Sequence, residues 1–160
     1  MRHAAISLLL SIAYLVAAMP ASAAAPDGEV DRILALDKAP PGVVFEVVTG
    51  DPGALNAVIP RVSRYAERLR ARFPDVPVAV MTHGSEQFSL LASEQDSYSD
   101  LHAQVRALSG EGDVDVHVCG NHASWRNNTA EDFPDYVDVA SAASAKMREY
   151  RDLGYIVVLF

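Results

Sequence analysis

Hydrophobic positions return in two rhythms along this chain. Short β-branched runs alternate with longer stretches in which apolar residues recur every three or four positions. The runs Val43–Val48, Pro77–Thr82, Val114–Cys119, Tyr136–Val139 and Tyr155–Leu159 predict five strands. Between the first two, Leu55, Ile59, Val62, Tyr65 or Ala66, Leu69 and Phe73 mark one face of an amphipathic helix. Asp51-Pro52 is expected to start that helix, with Asp as N-cap and Pro at the first position. Pro60 is expected to kink or restart it. Leu101, Val105 and Leu108 predict a helix ending near Gly110, and Ala143, Met147, Tyr150 and Leu153 predict another closed by Gly154. Shorter helical pieces are expected at Val30–Leu36, Phe88–Ala92 and Asn121–Trp125, the second inside a polar loop from Gly84 to Ser97. Strands that alternate with helices and are rich in Val and Ile predict an α/β fold on a mainly parallel, five-stranded open sheet.

The first 23 residues do not belong to that alternation. Arg2 gives a positive start, Ile6 to Ala18 carries no charge, and Ala21-Ser22-Ala23 has the small-x-small pattern of a cleavage site. Residues 1–23 therefore read as a secretory signal peptide, too short in its apolar run for a spanning helix. Residues 24–41 read as an exported N-terminal arm and 42–160 as the α/β domain. No second apolar run of spanning length follows, so no membrane association is expected after signal removal. A periplasmic location is expected if the source is a Gram-negative bacterium.

Composition narrows the partners. The chain has 160 residues, a net charge of −8 and 50% hydrophobic residues, which suits one globular domain. Its acidity argues against a nucleic-acid partner. Arg61, Arg64, Arg68, Arg70 and Arg72 cluster, but at a spacing that suits the wet face of a helix. A single Cys cannot close an internal disulfide. No Gly-x-Ser-x-Gly elbow, dinucleotide fingerprint or Walker loop is present, so hydrolase and nucleotide readings lack their signatures and no cofactor is expected. Asn127-Asn128-Thr129 matches a glycosylation sequon and reads as chance.

The chemistry gathers at strand ends, where open α/β sheets bind ligands. Gly50-Asp51 follows the first strand, His83-Gly84 the second and Cys119-Gly120-Asn121 the third. Cys119 ends a strand before a helix, whose N–H groups would favour a thiolate that attacks sulfane sulfur or disulfides. It equally suits a small buried hydrophobe. His83 suits either a capping histidine that bonds a loop carbonyl or a partner that faces Cys119 from the neighbouring strand, as a base or as a stabilising imidazolium. His117 shares a strand face with Asp115 and Cys119, while Val114, Val116 and Val118 take the other. So polar a face on an inner strand suggests a partly open site or a subunit contact. A soft metal, zinc or copper, held by His117, Cys119 and His122 with His83 nearby, is a lesser alternative.

Val80-Met81-Thr82-His83-Gly84 and Val116-His117-Val118-Cys119-Gly120-Asn121, with Glu131-Asp132-Phe133-Pro134, Val137-Asp138-Val139-Ala140 and Leu153-Gly154-Tyr155-Ile156, resemble the DsrE/DsrF-like family of small sulfur-metabolism proteins. The likeness spans about Val43 to Phe160. It implies a three-layer α/β/α, flavodoxin-like domain that assembles as a homotrimer or homohexamer. It also implies a strand-end Cys that accepts sulfane sulfur as a persulfide and passes it between donor and acceptor proteins. Cys119 matches that Cys, with His83 beside it as a catalytic partner; Gly84, Gly120, Asn121 and His117 are the neighbouring substrate-binding candidates. Two features depart from the family. Ala57-Val58-Ile59-Pro60-Arg61 replaces an Asn-rich start of the first helix, and this chain carries an export signal. A non-catalytic oligomeric binding or assembly domain is the alternative function.

Overall fold

The structure, a computed structural model, describes residues 25–160. Residues 1–23, expected to be a signal peptide, lie outside the described residues. Five strands, β1 (Val43–Val47), β2 (Val78–Thr82), β3 (Val114–Cys119), β4 (Asp138–Ala140) and β5 (Ile156–Leu159), form one sheet in the order β4-β3-β2-β1-β5. Every pairing is parallel. The chain steps outward from β1 to β4 and then returns to add β5 on the far side of β1. The helices are α1 (Pro26–Leu34), α2 (Leu55–Arg72), α3 (Ser99–Ser109), the one-turn α4 (Gly120–Ser124) and α5 (Ala143–Asp152). The α/β class and the parallel five-stranded sheet are as the alternation implies.

The alternation of side chains along each strand divides the molecule into two layers around the sheet. Val43, Phe45 and Val47 of β1, Val78 and Val80 of β2, and Val114, Val116 and Val118 of β3 point to one side. There they meet Val30 and Ile33 of α1, Leu55, Ile59, Val62 and Leu69 of α2, and Leu101, Val105 and Leu108 of α3. The opposite side buries Val44, Ala79, Met81 and Cys119 under Ala143, Met147 and Tyr150 of α5.

Some boundaries differ from expectation, each for a local reason. Asp51 does not cap α2; its Oδ1 accepts the Gly53 N–H at 2.9 Å in a tight turn, and α2 starts at Leu55 after an Ala54 that offers no side-chain cap. The helix continues through Pro60 without restarting. Pro60 removes one N–H in the second turn, and the full burial of Leu55, Ile59, Val62 and Leu69 holds the helix around it. The first helix begins at Pro26 rather than Val30, with Pro at its N-terminus and Asp27 and Glu29 in its first turn. β4 begins at Asp138 rather than Tyr136, because Tyr136 turns inward and its hydroxyl hydrogen-bonds the Nδ1 side of the buried His102 at 2.6 Å. The arginine cluster is not simply a wet face. Arg61 and Arg68 reach Asp27 and Asp31 of α1 at 3.0 and 2.6 Å, and Arg72 donates to the Leu36 carbonyl at 2.9 Å. Arg70 donates to the Gly112 and Asp113 carbonyls. The arginines tie α1 and the loop after α3 onto α2.

Candidate functional site

β2 and β3 are neighbours, registered so that Thr82 lies opposite Val118. The next residue of each, His83 and Cys119, therefore leaves the sheet at the same level. The chain after β1 forms a third wall, because Val47 lies opposite Thr82. A recess of about 480 Å³ opens there, walled by Val48–Gly50, His83–Ser85, Cys119, Asn121, His122 and Trp125. A larger groove of about 700 Å³ runs between α2 and α3, but its lining of Ala66, Arg70, Ala107, Leu108 and neighbours holds no thiol or imidazole. The reactive side chains share the smaller recess.

Cys119 is 7% exposed at its floor. Its Sγ accepts two backbone N–H groups, from His122 and from Ala143, each at 3.4 Å. Those donors belong to the starts of α4 and α5, so two helix beginnings converge on one sulfur. Such donors bind an anionic sulfur better than a neutral one. The Cys backbone is held as firmly. β2 has ended at this level, and the side-chain amide of Gln87 takes its place. Gln87 Oε1 accepts the Cys119 N–H at 2.8 Å, and its Nε2 donates to the Cys119 carbonyl at 3.4 Å.

Glu86, next to Gln87, is fully buried. Its Oε1 accepts the Thr82 hydroxyl at 2.6 Å and the Gly84 N–H at 2.7 Å, and its Oε2 accepts the Thr49 N–H at 2.8 Å. One carboxylate thus joins the turns that follow β1 and β2. Gly84 is required by this closeness: a Cβ there would lie 2.3 Å from the Thr49 carbonyl oxygen and from Glu86 Oε2. Gly120 has less need of its absence of side chain, with a Cβ meeting Ala140 O and Val139 Cγ1 at 3.1 Å.

The imidazoles separate into three roles. His83 Nε2 lies 3.0 Å from Glu46 Oε1, and Arg151 approaches the other Glu46 oxygen at 3.5 Å. His122 Nδ1 lies 2.9 Å from the His83 carbonyl oxygen, and its ring packs edge-on against Phe88 and Trp125. His117, expected among the binding residues, does not line the recess. It is 5% exposed beneath α5, with Nε2 2.7 Å from the Tyr150 hydroxyl. Its Nδ1 is buried without a hydrogen-bond partner, 3.8 Å from Asp138 Oδ2. Burial first, and then the Lys146 ammonium, hold His117 below the ordinary histidine range. Burial also pushes the Tyr150 phenol up, with Asp115 adding to it.

The structure thus brings His83, Gly84, Cys119 and Asn121 to one recess, sets Gly120 behind it as the start of α4, and places His117 elsewhere. It adds Thr49, Ser85, His122 and Trp125 to the walls, with Glu86 and Gln87 behind them. The proposed metal set does not converge. Among the described residues no group of three or more His, Cys, Asp or Glu side chains is placed to hold a metal ion. His117 is engaged by Tyr150, and His122 Nδ1 by a carbonyl. Glu86 and Gln87 had no signal in the sequence, because a polar pair in a polar segment looks solvated.

Parallel strands, helices on both sides and a recess beyond the carboxyl ends of the strands define an α/β domain with a strand-end site. Solved structures share this fold. One, a protein of unknown function from Methanobacterium thermoautotrophicum, aligns with a TM-score of 0.58 at 21% identity, over 74% of this chain and 97% of that one. Another, a conserved protein of unknown function from Bacteroides thetaiotaomicron, aligns with a TM-score of 0.50 at 8% identity, over 73% of this chain and 94% of that one. No family model and no curated protein matches the chain.

Proposed function

We propose that this protein is an exported sulfur carrier that accepts sulfane sulfur on Cys119, as its resemblance to DsrE/DsrF-like proteins implies. The observation that supports this most is the pair of backbone N–H groups on Cys119 Sγ at the floor of an open recess. In the reaction, the Cys119 thiolate attacks the outer sulfur of a persulfide or polysulfide donor. A new Sγ–S bond forms, the donor S–S bond breaks, and its electron pair and a proton leave with the donor as a thiol. An acceptor thiolate on a partner protein then takes the outer sulfur, and Cys119 returns as the thiol. Val48 and Trp125, 53% and 73% exposed at the rim, offer apolar surface to such a partner.

The reading includes a homotrimer or homohexamer in the periplasm. It is supported by the sheet face that, among the described residues, α5 is the one helix to cover, beside which Leu153 and Leu159 are more than half exposed. The same exposure favours a second reading, an assembly domain whose buried thiol is inert. Mass spectrometry after polysulfide treatment separates the two. Wild-type protein should gain one or more sulfur atoms and Cys119→Ser none. A wild-type protein that gains no sulfur, with a thiol that resists alkylation while folded, leaves the assembly reading. Light scattering reads the oligomeric state directly.

A further inference from the structure

We infer that His122 is the acid–base group of the Cys119 recess, with Nε2 as the nitrogen that exchanges the proton. The inference rests on the sulfur-carrier reading for its reaction, but not for its geometry. A backbone carbonyl only accepts hydrogen bonds, so the 2.9 Å contact with the His83 oxygen makes Nδ1 of His122 the donor. In the neutral ring, Nε2 then holds the lone pair. Nε2 has no partner among the described residues, and the residue lines the recess. The ring is also braced. Its centroid lies 5.1 Å from that of Phe88 at an interplanar angle of 83°, and 5.3 Å from that of Trp125 at 60°. The backbone N–H of the same residue is on the sulfur at 3.4 Å. One residue therefore donates its backbone N–H to the sulfur and brings an imidazole to the wall of the same recess.

His83 is placed for a different job. Its Nε2 faces a carboxylate, which only accepts, so that N–H is committed to Glu46 on the sheet side. What His83 gives the recess is its carbonyl, which selects the His122 tautomer. It is a positioning residue, and through its backbone.

In the carrier step, His122 Nε2 takes the Cys119 thiol proton, the thiolate displaces the donor's inner sulfur, and His122 returns the proton to that leaving thiolate. Protons and electrons balance without an added oxidant or reductant. The charged and titratable groups around the ring are few. Arg126 lies over Phe88 at 4.0 Å, Glu86 is buried behind the turn, and His83 carries Glu46 and Arg151.

The test compares wild type with His122→Asn, whose side-chain amide can still donate to the His83 carbonyl but offers no base at Nε2. Two readouts are taken across the neutral pH range: the rate of Cys119 alkylation by iodoacetamide and the rate of sulfur gain from polysulfide. His122→Asn should slow both by about tenfold or more near neutrality, since a positioned acid–base group supplies about a hundredfold or more. It should also erase the imidazole limb of the pH profile. His122→Ala should recover rate when free imidazole is added. Nitrogen NMR of the wild-type protein, which needs no variant, should find the proton of neutral His122 on Nδ1. The inference is overturned if that proton is on Nε2, or if folded His122→Asn keeps the wild-type rates and pH profile. A thiol whose alkylation depends on His122, in a protein that gains no sulfur, overturns the carrier reading and leaves His122 as the base. Sulfur gain that ignores His122 does the reverse.

Discussion

The two faces of the sheet are built from the same strands and behave as different materials. On the face under α1, α2 and α3, each inward position of β1, β2 and β3 is a Val or Phe except Thr82 at the end of β2, and all are buried. On the face under α5, the same strands present Val44, Glu46, Ala79, Met81, Asp115, His117 and Cys119. The first face, with the larger apolar cluster, supplies most of the hydrophobic free energy of the fold. The second carries the polar and titratable groups, which cost free energy to bury and so must be hydrogen-bonded or left wet. Cys119 belongs to the second face and emerges at its upper edge, where the sheet stops and α4 and α5 begin. Stability and chemistry are thus separated by the pleat of a single strand, β3.

That separation predicts where damage is greatest. Phe45 is fully buried on the three-helix face and stacks on Tyr65 with ring centroids 5.7 Å apart. Phe45→Ala should lower unfolding free energy by about 4 kcal/mol through lost burial and a cavity, read by urea denaturation. A loss below about 1 kcal/mol would mean that this face does not carry the core. Glu86 comes next. Glu86→Leu leaves the Thr49 and Gly84 N–H groups and the Thr82 hydroxyl without their acceptor, at a cost of about 3 kcal/mol. It should also change the rate of Cys119 alkylation more than Phe45→Ala does, since it loosens the walls of the recess. Equal alkylation in the two variants would contradict the role given to Glu86.

How far the sequence revealed this division depends on the period of each signal. The period-two runs made β1, β2 and β3 and both of their faces legible, and they brought His83 and Cys119 to one level. Helix faces were legible too, but starts were not. Asp51-Pro52 has the chemistry of a helix start and instead makes an Asx turn, because the apolar stripe that decides begins at Leu55. The support behind the recess was invisible. Glu86, Gln87 and Ser89 are buried in two turns of 3-10 helix, and only the third dimension supplies their partners on three different elements. His117 shows the complementary failure. Residues two apart on a strand share a face but not a neighbourhood, since Tyr150 covers His117 and leaves Cys119 at the opening.

A smaller effect tests the burial of His117 under α5. Its folded pKa lies below the ordinary value of 6.5 because of desolvation and Lys146. Below that ordinary value the unfolded chain binds a proton that the folded chain does not. Stability should therefore fall as pH drops from about 6.5 toward the depressed folded value, by at most about 1.4 kcal/mol per pH unit from this one group, and be unaffected at higher pH. His117→Gln should flatten that slope in urea titrations at stepped pH. Tyr150→Phe removes the hydroxyl on Nε2 and should cost about 1.5 kcal/mol at neutral pH. An unchanged acid slope in His117→Gln would place the titrating group elsewhere.

The smallest effect is expected at the half-buried carboxylate of the α5 face. Glu46 sits between His83 at 3.0 Å and Arg151 at 3.5 Å, and the Arg151 side chain is 53% exposed. Its pairs are partly screened by water, so they contribute far less than the bonds of buried Glu86. Glu46→Gln keeps the shape and a hydrogen-bond acceptor for His83 while removing the charge. It should cost under about 1 kcal/mol in urea unfolding, and less still at high salt, where surface pairs are screened. Its alkylation rate should stay within about threefold of wild type, well short of the loss expected when the acid–base group itself is removed. If Glu46→Gln instead costs as much as Glu86→Leu, the two carboxylates are equivalent, and the contrast between a wet face and a sealed one no longer accounts for the arrangement of charge around Cys119.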